Sequence, residues 1–207
     1  MIAPTLAIAC RLMTGAVAEW RVDPHATTQR VYFGNHSSHL DFIVIWCALP
    51  PRLRGLTRPV AGGDYWCQGR VRRFLADRVF HAVLIDRQHA GATAGLAVAR
   101  ESLQHIVDGL GRQHSLIVFP EGTRSASGEI GAFKSGLFHL ARARPDVQLV
   151  PVYLENLNRI LPKGEWLPVP MLSRVVFGAP LEPHAHEDKA AFLARARAAL
   201  VALKASR

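Results

Sequence analysis

Six short apolar runs, rich in β-branched and aromatic residues and bounded by glycine, proline or charge, constrain the fold of this 207-residue chain most tightly. They occupy residues 30–34, 59–61, 82–85, 115–119, 148–154 and 174–177. Runs this short and continuous read as strands buried on both faces, because a strand with one wet face alternates apolar and polar residues. Segments with helical spacing lie between them. Residues 95–110 carry Leu96, Ala99, Leu103, Ile106 and Leu110 on one face, and residues 133–144 carry Phe133, Leu137, Leu140 and Ala141. The tail, 187–205, stripes Phe192, Ala196, Ala199 and Leu203, with Leu193 and Leu200 beside them. Strands alternating with helices predict an α/β fold whose sheet has substantial parallel character. The chain is long enough for a substantial core, and no repeat or linker divides residues 1–207 into more than one domain.

The run Phe42-Ile43-Val44-Ile45-Trp46-Cys47-Ala48-Leu49 is β-rich by composition, yet its flanks are those of a helix. Ser38 can cap a helix, Asp41 stands three residues later, and Pro50-Pro51 stops it. A helix over 39–49, apolar on all sides, has to be buried or to touch lipid. Residues 1–20 are also apolar, with Ile2, Leu6, Ile8, Leu12, Met13 and Val17, but Arg11 breaks them. They fall short of the roughly 18 uninterrupted apolar residues of a spanning helix. A signal peptide would carry its charge before the apolar run, not inside it. Residues 1–20 therefore read as an apolar helix that packs on its own domain or lies at a membrane interface.

A net charge of +9 attracts phosphates, anionic headgroups, acidic proteins or nucleic acid. Arg52, Arg54, Arg58, Arg70, Arg72 and Arg73 concentrate that charge in mid-chain. Nucleic acid is the poorest fit, since stacking aromatics do not interleave with these arginines and no nucleic-acid motif is present. Cys10, Cys47 and Cys67 show neither CxxC spacing nor an even count, and read as reduced, buried thiols in a cytosolic setting.

Two polar islands follow apolar runs. Asn35-His36-Ser37-Ser38-His39-Leu40-Asp41 sets a histidine and a carboxylate within about one and a half helical turns. A carboxylate beside an imidazole fixes its tautomer and stabilises its charged form, as a general base requires. Two other readings stand beside this one. Ser38 and Asp41 can be a helix-capping pair with His36 an ordinary loop residue. Alternatively, His36, His39 and Asp41 can ligate a metal, although nothing nearby supplies the remaining ligands. The second island, Phe119-Pro120-Glu121-Gly122-Thr123-Arg124-Ser125, follows the buried run 115–119. Gly122 permits backbone conformations that other residues avoid, Arg124 offers a planar fork of donors, and Lys134 follows near a helix start, a combination suited to an anion. Ile85-Asp86-Arg87 is a third polar cluster at a strand end, weak by itself because such pairs are often plain ion pairs. Nucleotide loops of the G-x-x-x-x-G-K-[ST] and G-x-G-x-x-G types are absent, as is a G-x-S-x-G elbow.

The first island resembles the His-x4-Asp motif of the glycerolipid acyltransferases, the lysophosphatidic acid acyltransferase family. Phe119 to Ser125 matches that family's FPEGTRS signature at every position. Ile85-Asp86-Arg87 resembles the block between them and Val150-Pro151-Val152 the block after, all in the family's order. The resemblance implies one α/β domain of glycerol-3-phosphate acyltransferase type, with a mixed, mostly parallel sheet flanked by helices. It implies acyl transfer from acyl-CoA or acyl carrier protein to the hydroxyl of lysophosphatidic acid or a related lysophospholipid, glycerol 3-phosphate and a lyso-ornithine lipid being alternative acceptors. His36 would act as general base and Asp41 would orient it. Acceptor phosphate binding falls to Arg87, Glu121, Gly122, Thr123 and Arg124, with Lys134 joining them. Glu121 carries the wrong charge to touch phosphate and is expected to position Arg124 or the loop. A thioester is already activated, so neither a metal nor another cofactor is expected. The arginine cluster and the apolar segments place such an enzyme on the cytoplasmic face of the cell membrane, peripheral or monotopic.

Overall fold

In the central strand of the sheet, Tyr32 packs into one core while Val31 and Phe33 pack into another, and all three are buried. This is why the sequence shows a continuous apolar run there instead of an alternation. The computed structural model describes residues 2–38, 40–85, 95–125, 127–157, 173–182, 184 and 186–206. Among them the elements run α1 (Ile2–Thr14), β1 (Val17–Trp20), β2 (Arg30–Gly34), α2 (Asp41–Ala48), α3 (Pro51–Arg54), β3 (Thr57–Gly62), α4 (Gly63–Trp66) and α5 (Arg70–Phe74). A π-helical segment (Leu75–Phe80) follows, then β4 (Val83–Ile85), α6 (Gly95–Leu110), β5 (Ser115–Val118), α7 (Gly136–Ala143), β6 (Gln148–Glu155), β7 (Arg174–Phe177) and α8 (Lys189–Ala205).

The sheet order is β1-β7-β6-β2-β5-β3-β4. All neighbours are parallel except β6 and β7, so the sheet is mixed and mostly parallel. One face is covered by α1, α2 and the π-helical segment, through Val44, Ile45, Leu49 and Phe80 against Ile117, Val152 and Phe177. The other is covered by α6, α7 and α8, through Leu110, Leu137, Leu140, Phe192 and Ala196 against Leu116, Val118 and Leu149.

All six expected strands are present, and β1 is an addition inside the region read as helix. There α1 stops at Thr14, Gly15 takes a left-handed conformation (φ +52), and the chain turns into the sheet edge. Val17 to Trp20 pair with β7, and the Trp20 ring stacks on Phe177 at 3.7 Å. A tryptophan and two small apolar residues satisfy an edge strand as well as a helix, so periodicity alone does not separate the two. Among the described residues, no helix is long and apolar enough to cross a membrane.

Two arginines bind main chain at the end of α2. Arg11, which breaks the N-terminal apolar run, donates from Nε and Nη2 to the Cys47 carbonyl at 3.2 and 3.0 Å. Arg54 is buried and donates to the carbonyls of Trp46, Cys47 and Leu49 at 3.3, 3.2 and 3.0 Å, its guanidinium lying over the Trp46 ring. Both satisfy the last carbonyls of α2, where cations also complement the helix dipole. Arg58 is half-buried and bonds the Gly109 carbonyl. Exposed basic charge from the mid-chain cluster therefore reduces to Arg52, Arg70, Arg72 and Arg73. The thiols divide as well. Cys10 and Cys47 are buried, where the hydrogen bond that the Cys47 thiol donates to Cys10, together with desolvation, pushes the Cys47 pKa far up, whereas Cys67 is exposed, contrary to expectation.

Candidate active site

Both polar islands leave the sheet at the same end. β2 and β5 are parallel neighbours with Phe33 opposite Val118, so the chain after Gly34 and the chain after Val118 emerge side by side. β3 runs parallel on the far side of β5, and its end leads into α4 with Asp64. Adjacent loops at the carboxyl ends of parallel strands are where open α/β sheets carry their sites.

Asn35 fixes the start of the first island. Its buried side chain accepts from Leu154 N–H at 2.8 Å and donates to the Leu154 carbonyl at 3.0 Å, tying the end of β2 to β6. His36 follows with Nδ1 at 2.8 Å from Asp41 Oδ2. The same Oδ2 accepts from the main-chain N–H groups of Ser37 (2.6 Å) and Ser38 (2.8 Å). Asp41 is fully buried at the first turn of α2, where the helix dipole favours negative charge. An acceptor-only carboxylate requires the proton on Nδ1, which leaves Nε2 as the basic nitrogen. Asp41 Oδ1 is buried without a hydrogen-bond partner among the described residues. All the contacts of this carboxylate thus converge on the oxygen that holds the histidine. The expected cap by Ser38 is not formed: α2 starts at Asp41 behind Leu40 with no side-chain cap, and Asp41 instead reaches back to the Ser37 and Ser38 N–H groups while it holds His36.

The second island grips His36 from both sides. Glu121 Oε1 accepts from His36 N–H at 2.9 Å, and Ser125 N–H donates to the His36 carbonyl at 2.7 Å. The other Glu121 oxygen accepts from Gly131 N–H at 3.0 Å. Glu121 is buried with both oxygens committed to main chain, which takes it out of the phosphate-contacting set and makes it a brace for the histidine loop. The Phe119 ring stacks on the imidazole, 4.3 Å between centroids and 16° from parallel.

Gly122 closes the turn after Phe119 with φ +72, a left-handed conformation that side-chain-bearing residues rarely adopt. A Cβ there would also lie 2.9 Å from the Lys134 side chain, which crosses the turn. Thr123 is exposed on the same loop. Arg124 is half-buried, and its Nη1 is fully buried with no acceptor among the described residues. A guanidinium nitrogen in that position is a donor for an anion brought in by a ligand.

Two cavities share His36 and Phe119. One, of about 170 Å³, is lined further by Phe42, Asp64, Tyr65, Trp66 and Arg124. The other, of about 140 Å³, is lined by Gly122 and Lys134 at one side and by Ile106, Val118, Leu137 and Leu140 elsewhere. Of the expected site residues, the structure brings His36, Asp41, Glu121, Gly122, Thr123, Arg124 and Lys134 to one end of the sheet. Arg87 and His39 lie outside the described residues. Among the described residues, no group of three or more His, Cys, Asp or Glu side chains is placed to hold a metal. Sequence reading passed over Asn35, Phe119 and Asp64 as functional positions. Asn35 carried a signal, a polar residue ending a fully apolar run, but its partner lies 119 positions away.

Residues 22–155, which contain both islands, match the model of the Acyltransferase family. The chain belongs to this family. It is similar to the family's 1-acyl-sn-glycerol-3-phosphate acyltransferase from Limnanthes alba, at 30% identity over 166 residues, covering 76% of this chain and 52% of that protein. The human 1-acyl-sn-glycerol-3-phosphate acyltransferase alpha is 31% identical over 135 residues, covering 65% of this chain and 44% of that one. The chain spans about half the length of the curated relatives it matches. In fold it is similar to the crystal structure of the 1-acyl-sn-glycerophosphate (LPA) acyltransferase PlsC from Thermotoga maritima, with a TM-score of 0.73 at 17% identity. That likeness covers 100% of this chain and 80% of that chain.

Proposed function

We propose that the protein transfers a fatty acyl group from a thioester, acyl-CoA or acyl carrier protein, to the free hydroxyl of lysophosphatidic acid or a related lysophospholipid. The observation that carries this reading is the 2.8 Å His36–Asp41 pair, whose imidazole lines both cavities. His36 Nε2 takes the proton of the acceptor hydroxyl as its oxygen attacks the thioester carbonyl. The imidazolium then gives that proton to the departing thiolate. Asp41 holds the tautomer and stabilises the positive charge as it forms, the part a carboxylate plays in a Ser-His-Asp triad. The nucleophile is the substrate's own hydroxyl, so the reaction needs no acyl-enzyme.

Arg124 is the acceptor's anchor in this reading, with Lys134 and the Gly122–Thr123 turn beside it. A hydrogen bond to a charged group contributes about 1.5–3 kcal/mol, so Arg124→Ala raises the acceptor KM about 10- to 150-fold and leaves the donor KM unchanged. Steady-state kinetics with each substrate varied in turn checks this, and an unchanged acceptor KM contradicts it.

The same reading puts the protein on an anionic membrane surface. α1 exposes Ile8, Leu12 and Met13, and α5 exposes Val71 and Phe74 among Arg70, Arg72 and Arg73. Pro4 of α1 and Phe74 of α5 line one cavity, which sets these two elements on one side of the molecule. Basic residues near an anionic leaflet contribute about 1 kcal/mol each, and salt screens them. Flotation with phosphatidylglycerol-containing liposomes is expected to carry the protein at low salt and to lose much of it at high salt. Failure to float with anionic vesicles contradicts the membrane placement.

A further inference from the structure

We infer that the cavity between His36 and α4 is a subsite for a zwitterionic headgroup, with Asp64 receiving an ammonium while Arg124 receives the phosphate. This rests on the acyl-transfer reading above and narrows its substrate class. Two opposite charges line that cavity together with His36. Arg124 brings a buried guanidinium nitrogen with no acceptor among the described residues. Asp64, exposed at the first turn of α4, makes no ion pair or hydrogen bond among the described residues. Asp146, Glu187 and Glu129 each pair with an arginine or lysine in this chain. Asp64 does not, like the exposed Glu101 and Glu182, but unlike those two it lines a small cavity together with Arg124.

For an acceptor ending in a phosphate monoester, this carboxylate is a liability, because it repels the dianion that Arg124 attracts. For an acceptor whose phosphate bears an amine, it is the second half of a complementary pattern. The remaining lining suits that group as well. Rings of Phe42, Tyr65, Trp66 and Phe119 surround the cavity, and aromatic faces attract alkylammonium groups. Arg72 already lies over Tyr65 at 4.4 Å, so α4 carries a ring whose face holds a cation within the protein itself. Position in the fold adds a reason. Asp64 stands on α4 directly after β3, and β3 is the parallel neighbour of β5, whose following loop carries Arg124.

The test is acyl transfer by the purified full chain to three acceptors with the same acyl chain: lysophosphatidic acid, lysophosphatidylglycerol and lysophosphatidylethanolamine. Lysophosphatidylglycerol matches the third in size but lacks the cation. Wild type is expected to show its highest kcat/KM with lysophosphatidylethanolamine. Asp64→Asn, which keeps the side-chain shape, lowers that value at least tenfold and leaves the value for lysophosphatidylglycerol within about twofold. A wild-type preference for lysophosphatidic acid overturns the proposal, as does an Asp64→Asn variant that treats all three acceptors like wild type. An equal loss on all three makes Asp64 a structural residue and also overturns it. Absence of transfer to every acceptor sinks the acyl-transfer reading instead, so the two failures are distinct.

Discussion

Replacing His36 by alanine lowers the rate of acyl transfer by about a hundred- to ten-thousandfold, the range that a positioned general base contributes. The fold survives the change, for reasons visible around the ring. His36 is part-exposed at the mouth of two cavities, and its removal leaves Asp41 Oδ2 with two of its three donors, the Ser37 and Ser38 N–H groups. Its main-chain bonds to Glu121 and Ser125 do not involve the side chain. The loss therefore falls on kcat, with little change in thermal unfolding. A His36→Ala protein that melts like wild type and still transfers acyl groups at near wild-type rate contradicts the assignment.

Asp41 separates charge from geometry. In Asp41→Asn the amide oxygen can take the place of Oδ2 and keep the bonds from His36, Ser37 and Ser38. The amide nitrogen then replaces Oδ1, which has no partner to lose among the described residues. The variant keeps the tautomer and removes the negative charge, so its loss measures the stabilisation of the imidazolium. An Asp→Asn change in a Ser-His-Asp triad costs about 10⁴ in kcat, and that cost includes a wrong tautomer. The expected loss here is smaller, about a hundredfold or more, with the structure retained. Asp41→Ala removes the acceptor as well, burying two orphaned N–H groups at about 1–3 kcal/mol each. That variant is expected to lose activity and to melt well below wild type. Kinetics and thermal unfolding of the pair check this. Full activity in Asp41→Asn removes the electrostatic role, and equal stability of the two variants removes the structural one.

The fold was legible wherever burial dictates pattern. Val31, Tyr32 and Phe33 are apolar in succession because both faces of β2 are covered, and the helical stripes of α6, α7 and α8 point at the same sheet. β1 was not legible, because Val17 to Trp20 are equally compatible with continuing a helix and only the tertiary pairing with β7 decides. Arg54 illustrates the same limit. Its charge reads as surface, yet the open carbonyls at the end of α2 provide enough acceptors to bury it.

In the site, local spacing exposed the His36–Asp41 pair because both residues sit on one short segment. The brace was hidden, since His36 and Glu121 are 85 positions apart and meet only because β2 and β5 are neighbours. Charge alone did say that Glu121 would not touch phosphate. Asp64 follows Gly62 and Gly63, which in sequence signal no more than a turn, and only the parallel placement of β3 beside β5 brings it to the mouth of the site.

The central claim is acyl transfer driven by the His36–Asp41 pair. Its most direct measurement is mass spectrometry of the products formed when the purified protein meets a long-chain acyl-CoA or acyl carrier protein and a lysophospholipid, with His36→Ala run in parallel. Wild type is expected to yield a diacyl phospholipid and one equivalent of free thiol, and the variant at least a hundredfold less of both. No diacyl product with either donor, or equal product from the two proteins, contradicts it.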